Sequence, residues 1–149
     1  MSRIAVTVEI DAPVERVWAE VERIEGHTEW MHDAVAIRFE GTQRTGVGTR
    51  FLCDTKVGPI KLVDRMEITE WIPLSRIGVR HTGIVTGTGA FVLTPIDLDR
   101  RTRFVWTEVL HFPWWLGGVI GERVGGNVVM KAIWRRNLRG LKGLIEPNR

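Results

Sequence analysis

The sequence predicts an α+β domain, an antiparallel sheet with one long amphipathic C-terminal helix packed on it. Three observations predict it. Apolar residues alternate with polar ones at a period of two in segment after segment, the pattern of half-buried strands. From Val35 to Leu110 those segments are separated by turn residues and not by helical stretches, which makes an antiparallel meander and not a parallel sheet. Near the C-terminus Met130, Trp134, Leu138, Leu141 and Ile145 recur at steps of three and four, the apolar stripe of an amphipathic helix.

In the first strand Ile4, Val6, Val8 and Ile10 alternate with Ala5, Thr7 and Glu9. Asp11, Ala12 and Pro13 then give the cap-and-proline signature of a helix start, and Val14, Val17, Trp18 and Val21 continue it. Gly26 interrupts the pattern, and residues 27–32, with Trp30 and Met31, read as a second short helix. Six further strands follow, broken at residues 41–48, Gly58-Pro59, Ile72-Pro73, Thr82-Gly83 and residues 95–102. The final helix follows Phe112-Pro113, and Lys131, Arg135, Arg139 and Lys142 form its solvent face.

The 149 residues, 44% of them hydrophobic, suit a single domain over 1–149 with a core that needs no staples. No apolar leader follows Met1, so the expectation is a cytoplasmic protein. Cys53 is the only cysteine, which excludes an internal disulfide and a Cys-rich metal site. Of the four histidines at 27, 32, 81 and 111, only the first two are close in sequence; no metal site and no cofactor are expected. No Gly-rich phosphate loop, His-Glu-x-x-His or nucleophile elbow occurs. The net charge of +3 is modest and comes without a nucleic-acid recognition motif, so nucleic acid is not an expected partner. The apolar stretch 112–130, with its glycine ladder at Gly117, Gly121 and Gly125, carries Glu122 and Arg123 at its centre, which argues against a membrane span. A homodimer is compatible with the sequence.

The run Val8-Glu9-Ile10-Asp11-Ala12-Pro13-Val14-Glu15-Arg16-Val17-Trp18 resembles the opening of the START/Bet v 1-like superfamily, which includes polyketide cyclases and lipid-transport proteins. So do Glu70-Trp71-Ile72-Pro73-Leu74-Ser75-Arg76, Leu93-Thr94-Pro95 and Thr102-Arg103-Phe104-Val105-Trp106, and the order of elements agrees from end to end. The resemblance implies a helix-grip fold enclosing an apolar ligand cavity. Aromatase/cyclase members direct the folding of a polyketide chain with a few cavity residues, commonly arginine and tyrosine. This chain has no tyrosine, and alternation turns most of its strand arginines outward, a departure that weakens the implied enzyme activity.

Alternation also assigns the inward faces: Phe51, Cys53, Thr55 and Val57; Ile60, Leu62, Asp64, Met66 and Ile68; Ile77, Val79 and His81; Phe91 and Leu93; Phe104, Trp106, Glu108 and Leu110. Arg50, Asp54, Lys56, Lys61, Arg65, Glu67 and Arg80 fall on the opposite, solvated face. Candidate ligand-binding residues are Trp30, Phe51, Cys53, Met66, Phe91, Trp106, Trp115, Met130 and Trp134. Asp64, His81 and Glu108 stand out as polar groups on an apolar surface, where they need partners or shifted pKa values. A Gly58-Pro59 turn sets Cys53 opposite Asp64, and a hairpin closing through Pro73 can set Asp64 opposite His81. Such a pair would raise the imidazole pKa and make His81 a candidate general base or a polar anchor for a ligand hydroxyl or carbonyl, or it satisfies itself at the end of a cavity; Glu108 is a second candidate acid or a carboxylate at the open rim. Gly87 and Gly89 mark either sheet curvature or space cleared for a ligand, and Trp114-Trp115 either a gate or an exposed patch for a partner.

The first functional expectation is binding or transport of a small hydrophobic molecule, lipid-like, polyketide-like or aromatic. The alternative is a cyclase or dehydratase that uses Asp64, His81 and Glu108 for proton transfer. An interaction module built on Trp114-Trp115 and the basic helix face is a third.

Overall fold

In the computed structural model, which describes residues 2–113 and 126–146, the chain opens with β1 (Ser2–Ile10), α1 (Val14–Val21), a 3₁₀ helix (Ile24–Glu29) and β2 (Ala34–Glu40). It continues through β3 (Arg50–Val57), β4 (Ile60–Ile72), β5 (Arg76–Thr82), β6 (Thr86–Ile96) and β7 (Arg101–His111) to α2 (Gly126–Ile145). The strands form one antiparallel sheet in the order β1-β7-β6-β5-β4-β3-β2. Each strand from β2 to β7 pairs with its sequence neighbour, and β1 closes onto β7. This is the helix-grip arrangement, a curved sheet around the C-terminal helix, that the family resemblance implies.

The core lies where the sheet meets the helices. Trp134, Leu138, Leu141 and Ile145 of α2 are buried with Val14, Val17, Trp18 and Val21 of α1 and with Ile4, Val6 and Ile10 of β1. Lys142 fixes the end of α2, its Nζ donating to the Glu9 carbonyl and to Glu146 Oε2, both at 2.8 Å. Thr102, fully buried, donates to the Ala12 carbonyl at 2.8 Å and so ties β7 to the start of α1. On the convex face Arg50, Arg76 and Arg80 pair with Glu67 or Glu70 in water, contacts of small individual worth.

Three local details differ from the sequence expectation. The residue capping α1 is Pro13, without a side-chain cap; its carbonyl accepts from Arg16 and Val17, while the Asp11 backbone amide donates to Glu146 Oε2. The second short helix begins at Ile24, three residues ahead of the expected start, and is a 3₁₀ helix. His27, within it, donates from Nε2 to the Val21 carbonyl at 2.7 Å, folding this turn back on the end of α1.

The third is the β4–β5 register. The turn spans Pro73, Leu74 and Ser75, with Leu74 in the left-handed region (φ 67°) and the Ser75 amide bonded to the Ile72 carbonyl. A bulge between Ile68 and Glu70 then shifts the pairing, so that His81 lies opposite Met66 and not opposite Asp64. The displacement amounts to two residues, which preserves the side-chain face. Asp64 and His81 are therefore diagonal neighbours on the same concave surface, within reach of each other. The β3–β4 hairpin has the expected register, with Val57 opposite Ile60 and Cys53 opposite Asp64.

Candidate functional site

Between the concave face of the sheet and α2 lies a cavity of ≈ 190 Å³. The inward residues of β3, β4 and β5 all line it, from Phe51 to Val57, Ile60 to Ile68 and Ile77 to His81, together with Phe91, Trp106, Glu108 and Leu110. Leu93 and Phe104 sit deeper, in the core. From α2 come Val129, Met130, Ile133 and Trp134. Val63, Ile84 and Val129 line the cavity and are exposed to solvent as well, which marks its rim.

Of the candidate ligand-binding residues, Phe51, Cys53, Met66, Phe91, Trp106, Met130 and Trp134 face this space. The indoles of Trp106 and Trp134 stack at 4.8 Å with 16° between their planes, and Phe91 meets Trp106 edge-on at 5.3 Å. Trp30 does not face it. Because the 3₁₀ helix starts early, His27 occupies the wall and Trp30 turns behind it, fully buried against His27, Phe91 and Trp106. Its Nε1 is buried without a partner among the described residues. Trp114 and Trp115, with Gly117, Gly121 and Gly125, lie outside the described residues.

The polar groups of the concave face form a hydrogen-bonded chain. His81 Nδ1 lies 3.1 and 3.2 Å from the two oxygens of Asp64, and Nε2 lies 2.9 Å from Glu108 Oε2. Trp106 Nε1 donates to Glu108 Oε1 at 3.1 Å. His81 sits on β5 and Glu108 on β7, with β6 between them. They meet because β6 presents Gly87 opposite His81 and Gly89 opposite Glu108. A side chain at Gly89 would collide with the Glu108 carboxylate. The space at Gly89 is thus filled by Glu108, a use that neither curvature nor a ligand accounts for. Gly87 has φ 138° and lies against the Val109 carbonyl, so a side chain is excluded there by strain and by backbone.

Burial works against the charge on His81, but hydrogen bonds and proximity to Asp64 and Glu108 outweigh it and raise its pKa to about 10. The ring is accordingly an imidazolium at neutral pH, donating from both nitrogens. It has no lone pair with which to abstract a proton, so the general-base role expected for His81 does not fit this geometry. Within this chain the carboxylate oxygens are the remaining proton acceptors, and Asp64 is the more open of the two, its side chain 21% exposed against 6% for Glu108.

Sequence reasoning missed His27, Met31, Asp33 and Ile133, all on the cavity wall. His27 is held neutral: desolvation, only partly offset by its bond to the Val21 carbonyl, lowers its pKa to about 4. Asp33 is bound through Oδ1 by Asn137 Nδ2 at 2.7 Å, and Asn137 Oδ1 accepts the His32 amide at 2.8 Å. Asn137 was the available signal, a short amide one position before Leu138 on the buried side of α2, where it is completely inaccessible. Burial, ahead of any other influence, raises the Cys53 thiol to about 12, so it lines the wall as an inert apolar group. Among the described residues no group of three or more His, Cys, Asp and Glu is placed to hold a metal ion, and no helix is long and apolar enough to cross a membrane.

A sheet closed over a C-terminal helix with an apolar cavity between them is the architecture of one large family, and residues 1–146 match its sequence model, polyketide cyclase / dehydrase and lipid transport. The chain belongs to that family. Solved structures of similar fold include a protein from Thermus thermophilus, at TM-score 0.80 and 21% identity over 97% of each chain. A START superfamily protein from Mycobacterium smegmatis superposes at TM-score 0.75 and 13% identity, covering 99% of each chain. The Zhui aromatase/cyclase from Streptomyces sp. R1128 does so at 0.72 and 18% identity, over 97% of this chain and 93% of that one. At such identities the likeness is one of fold. No curated protein is significantly similar in sequence.

Proposed function

We propose that this protein binds one compact hydrophobic molecule in the cavity between sheet and α2 and carries or presents it, without transforming it. The observation that carries this reading is the cavity wall, built mostly from apolar side chains, with the Asp64–His81–Glu108 chain on the sheet and His27 and Asp33 as its main polar points. An apolar cavity of about 150 Å³ takes up benzene, so ≈ 190 Å³ suits a substituted ring. Phe91, Trp106 and Trp134 supply flat apolar surface for it, which favours an aromatic or polyketide-like ligand over an extended chain.

The cyclase or dehydratase reading draws support from the same polar chain. It would rest on Asp64 and Glu108 as acid and base, since both nitrogens of His81 are engaged. A general base must reach the proton it removes, and Asp64 has the more open position.

Native mass spectrometry of protein purified from its own host tests the carrier reading. A co-purifying mass in the range of a one- or two-ring compound is expected. An empty protein that also takes up nothing from a lipid and metabolite extract overturns it, and a bound compound returned in altered form turns the case to the enzyme.

A further inference from the structure

The whole chain is basic, with a formal charge of +3, yet its cavity is acidic. Asp33, Asp64 and Glu108 face the space, and among the described lining residues there is neither lysine nor arginine. His81 is the one cation among those residues, and both its N–H groups are spent on Asp64 and Glu108. His27 adds no charge, because burial lowers its pKa to about 4 while Nε2 donates to the Val21 carbonyl. The described wall therefore carries a formal surplus of two negative charges with the carboxylates ionised. The excess is not spread evenly: the buried imidazolium lies between Asp64 and Glu108, while the more accessible Asp64 projects at the edge of the chain.

An anionic ligand such as a fatty or aromatic acid would bring a further negative charge into this space, where the one cation among the described lining residues, His81, is already bonded to two carboxylates. Burying a charge without a partner is costly. A cationic ligand would meet the reverse situation, with carboxylates to accept its N–H groups and aromatic faces beside them. Trp106 joins the two features directly, its ring on the wall and its Nε1 bonded to Glu108. Aromatic faces next to carboxylates are the chemistry that recognises alkylammonium groups.

We infer that the cavity selects hydrophobic cations: a compact ring system bearing a protonated amine, the ring against Trp106, Trp134 and Phe91 and the ammonium against the carboxylates at the Asp64 end. This rests on the proposed ligand-binding role and names its ligand class.

Three probes of one shape test it by isothermal titration calorimetry at pH 7: indane, indan-2-ammonium and indane-2-carboxylate. The ammonium is expected to bind roughly tenfold more tightly than indane, and the carboxylate more weakly than either. Asp64→Asn should narrow the ratio of ammonium to indane affinity. Equal affinities for the three, or a preference for the carboxylate, overturn the inference while leaving the binding role intact. Failure of all three to bind overturns the binding role, and this inference with it.

Discussion

Gly89 and Glu108 lie opposite each other on β6 and β7, and the Glu108 carboxylate occupies the space where a side chain on residue 89 would be. That vacancy is what lets a residue on β7 reach His81 two strands away. Gly89→Ala should therefore displace the carboxylate and cost about 1–3 kcal/mol of stability, as overpacking does. Urea unfolding checks the magnitude. In a Glu108→Ala background the same substitution should cost much less, because the group it displaces is gone, and additive effects in the double mutant would contradict this account.

The two buried histidines pull the pH dependence of stability in opposite directions. His27 has its pKa lowered from 6.5 to about 4, so between those values the unfolded chain binds more protons and stability rises with pH. His81 has its pKa raised from 6.5 to about 10; its contribution is fully present below 6.5 and is lost as pH rises through 10. Cys53, raised from 9.0 to about 12, steepens the loss above pH 9, because the unfolded thiol ionises first. Thermal unfolding from pH 4 to 10 should show a maximum near 6.5. His81→Gln should flatten the limb between 6.5 and 9 and leave the acid limb in place.

How far such a site can be read in advance depends on whether its determinants are local. Alternation placed Asp64, His81 and Glu108 on one concave face, because a period of two survives any even shift of register, and the actual β4–β5 pairing is displaced by two. The turn at Leu74 and the bulge after Ile68 were not legible: a left-handed leucine and an extra residue leave no compositional mark. Trp30 was misplaced for a related reason. Its side depends on where a short 3₁₀ turn begins, and that is fixed by the bond from His27 to the Val21 carbonyl. The Gly89–Glu108 contact depends on the pairing of β6 with β7, so the glycine was visible but its purpose was not.

Val79 lines the cavity on β5 between Ile77 and His81. Val79→Phe projects a ring into the space while keeping a residue suited to strands. Filling a cavity restores the contacts its lining lacks, so stability should hold or rise. Affinity for indane should fall roughly tenfold or more, since little of the ≈ 190 Å³ would remain. Calorimetric titration with unfolding measured on the same sample checks both, and undiminished binding would place the ligand elsewhere.

Asn137 is fully buried and joins α2 to the segment leading into β2, accepting the His32 amide and donating to Asp33. Asn137→Leu keeps the number and branching of the side-chain heavy atoms, with bulkier methyl groups at its end, and it leaves an amide and a carboxylate oxygen without their partner. Stranding a buried polar group costs about 1–3 kcal/mol, and both partners here are part-buried, so a loss of roughly 1–3 kcal/mol in all is expected, to which overpacking by the larger leucine adds. Asn137→Asp separates the two bonds: it can still accept from His32 but sets a second carboxylate against Asp33. Its destabilisation should therefore shrink as pH falls and one of the pair takes up a proton, which then bridges the two carboxyl groups. Urea unfolding of the three proteins at pH 7 and pH 5 distinguishes these outcomes. A pH-independent loss in Asn137→Asp would mean that Asp33 is not the group Asn137 holds in place.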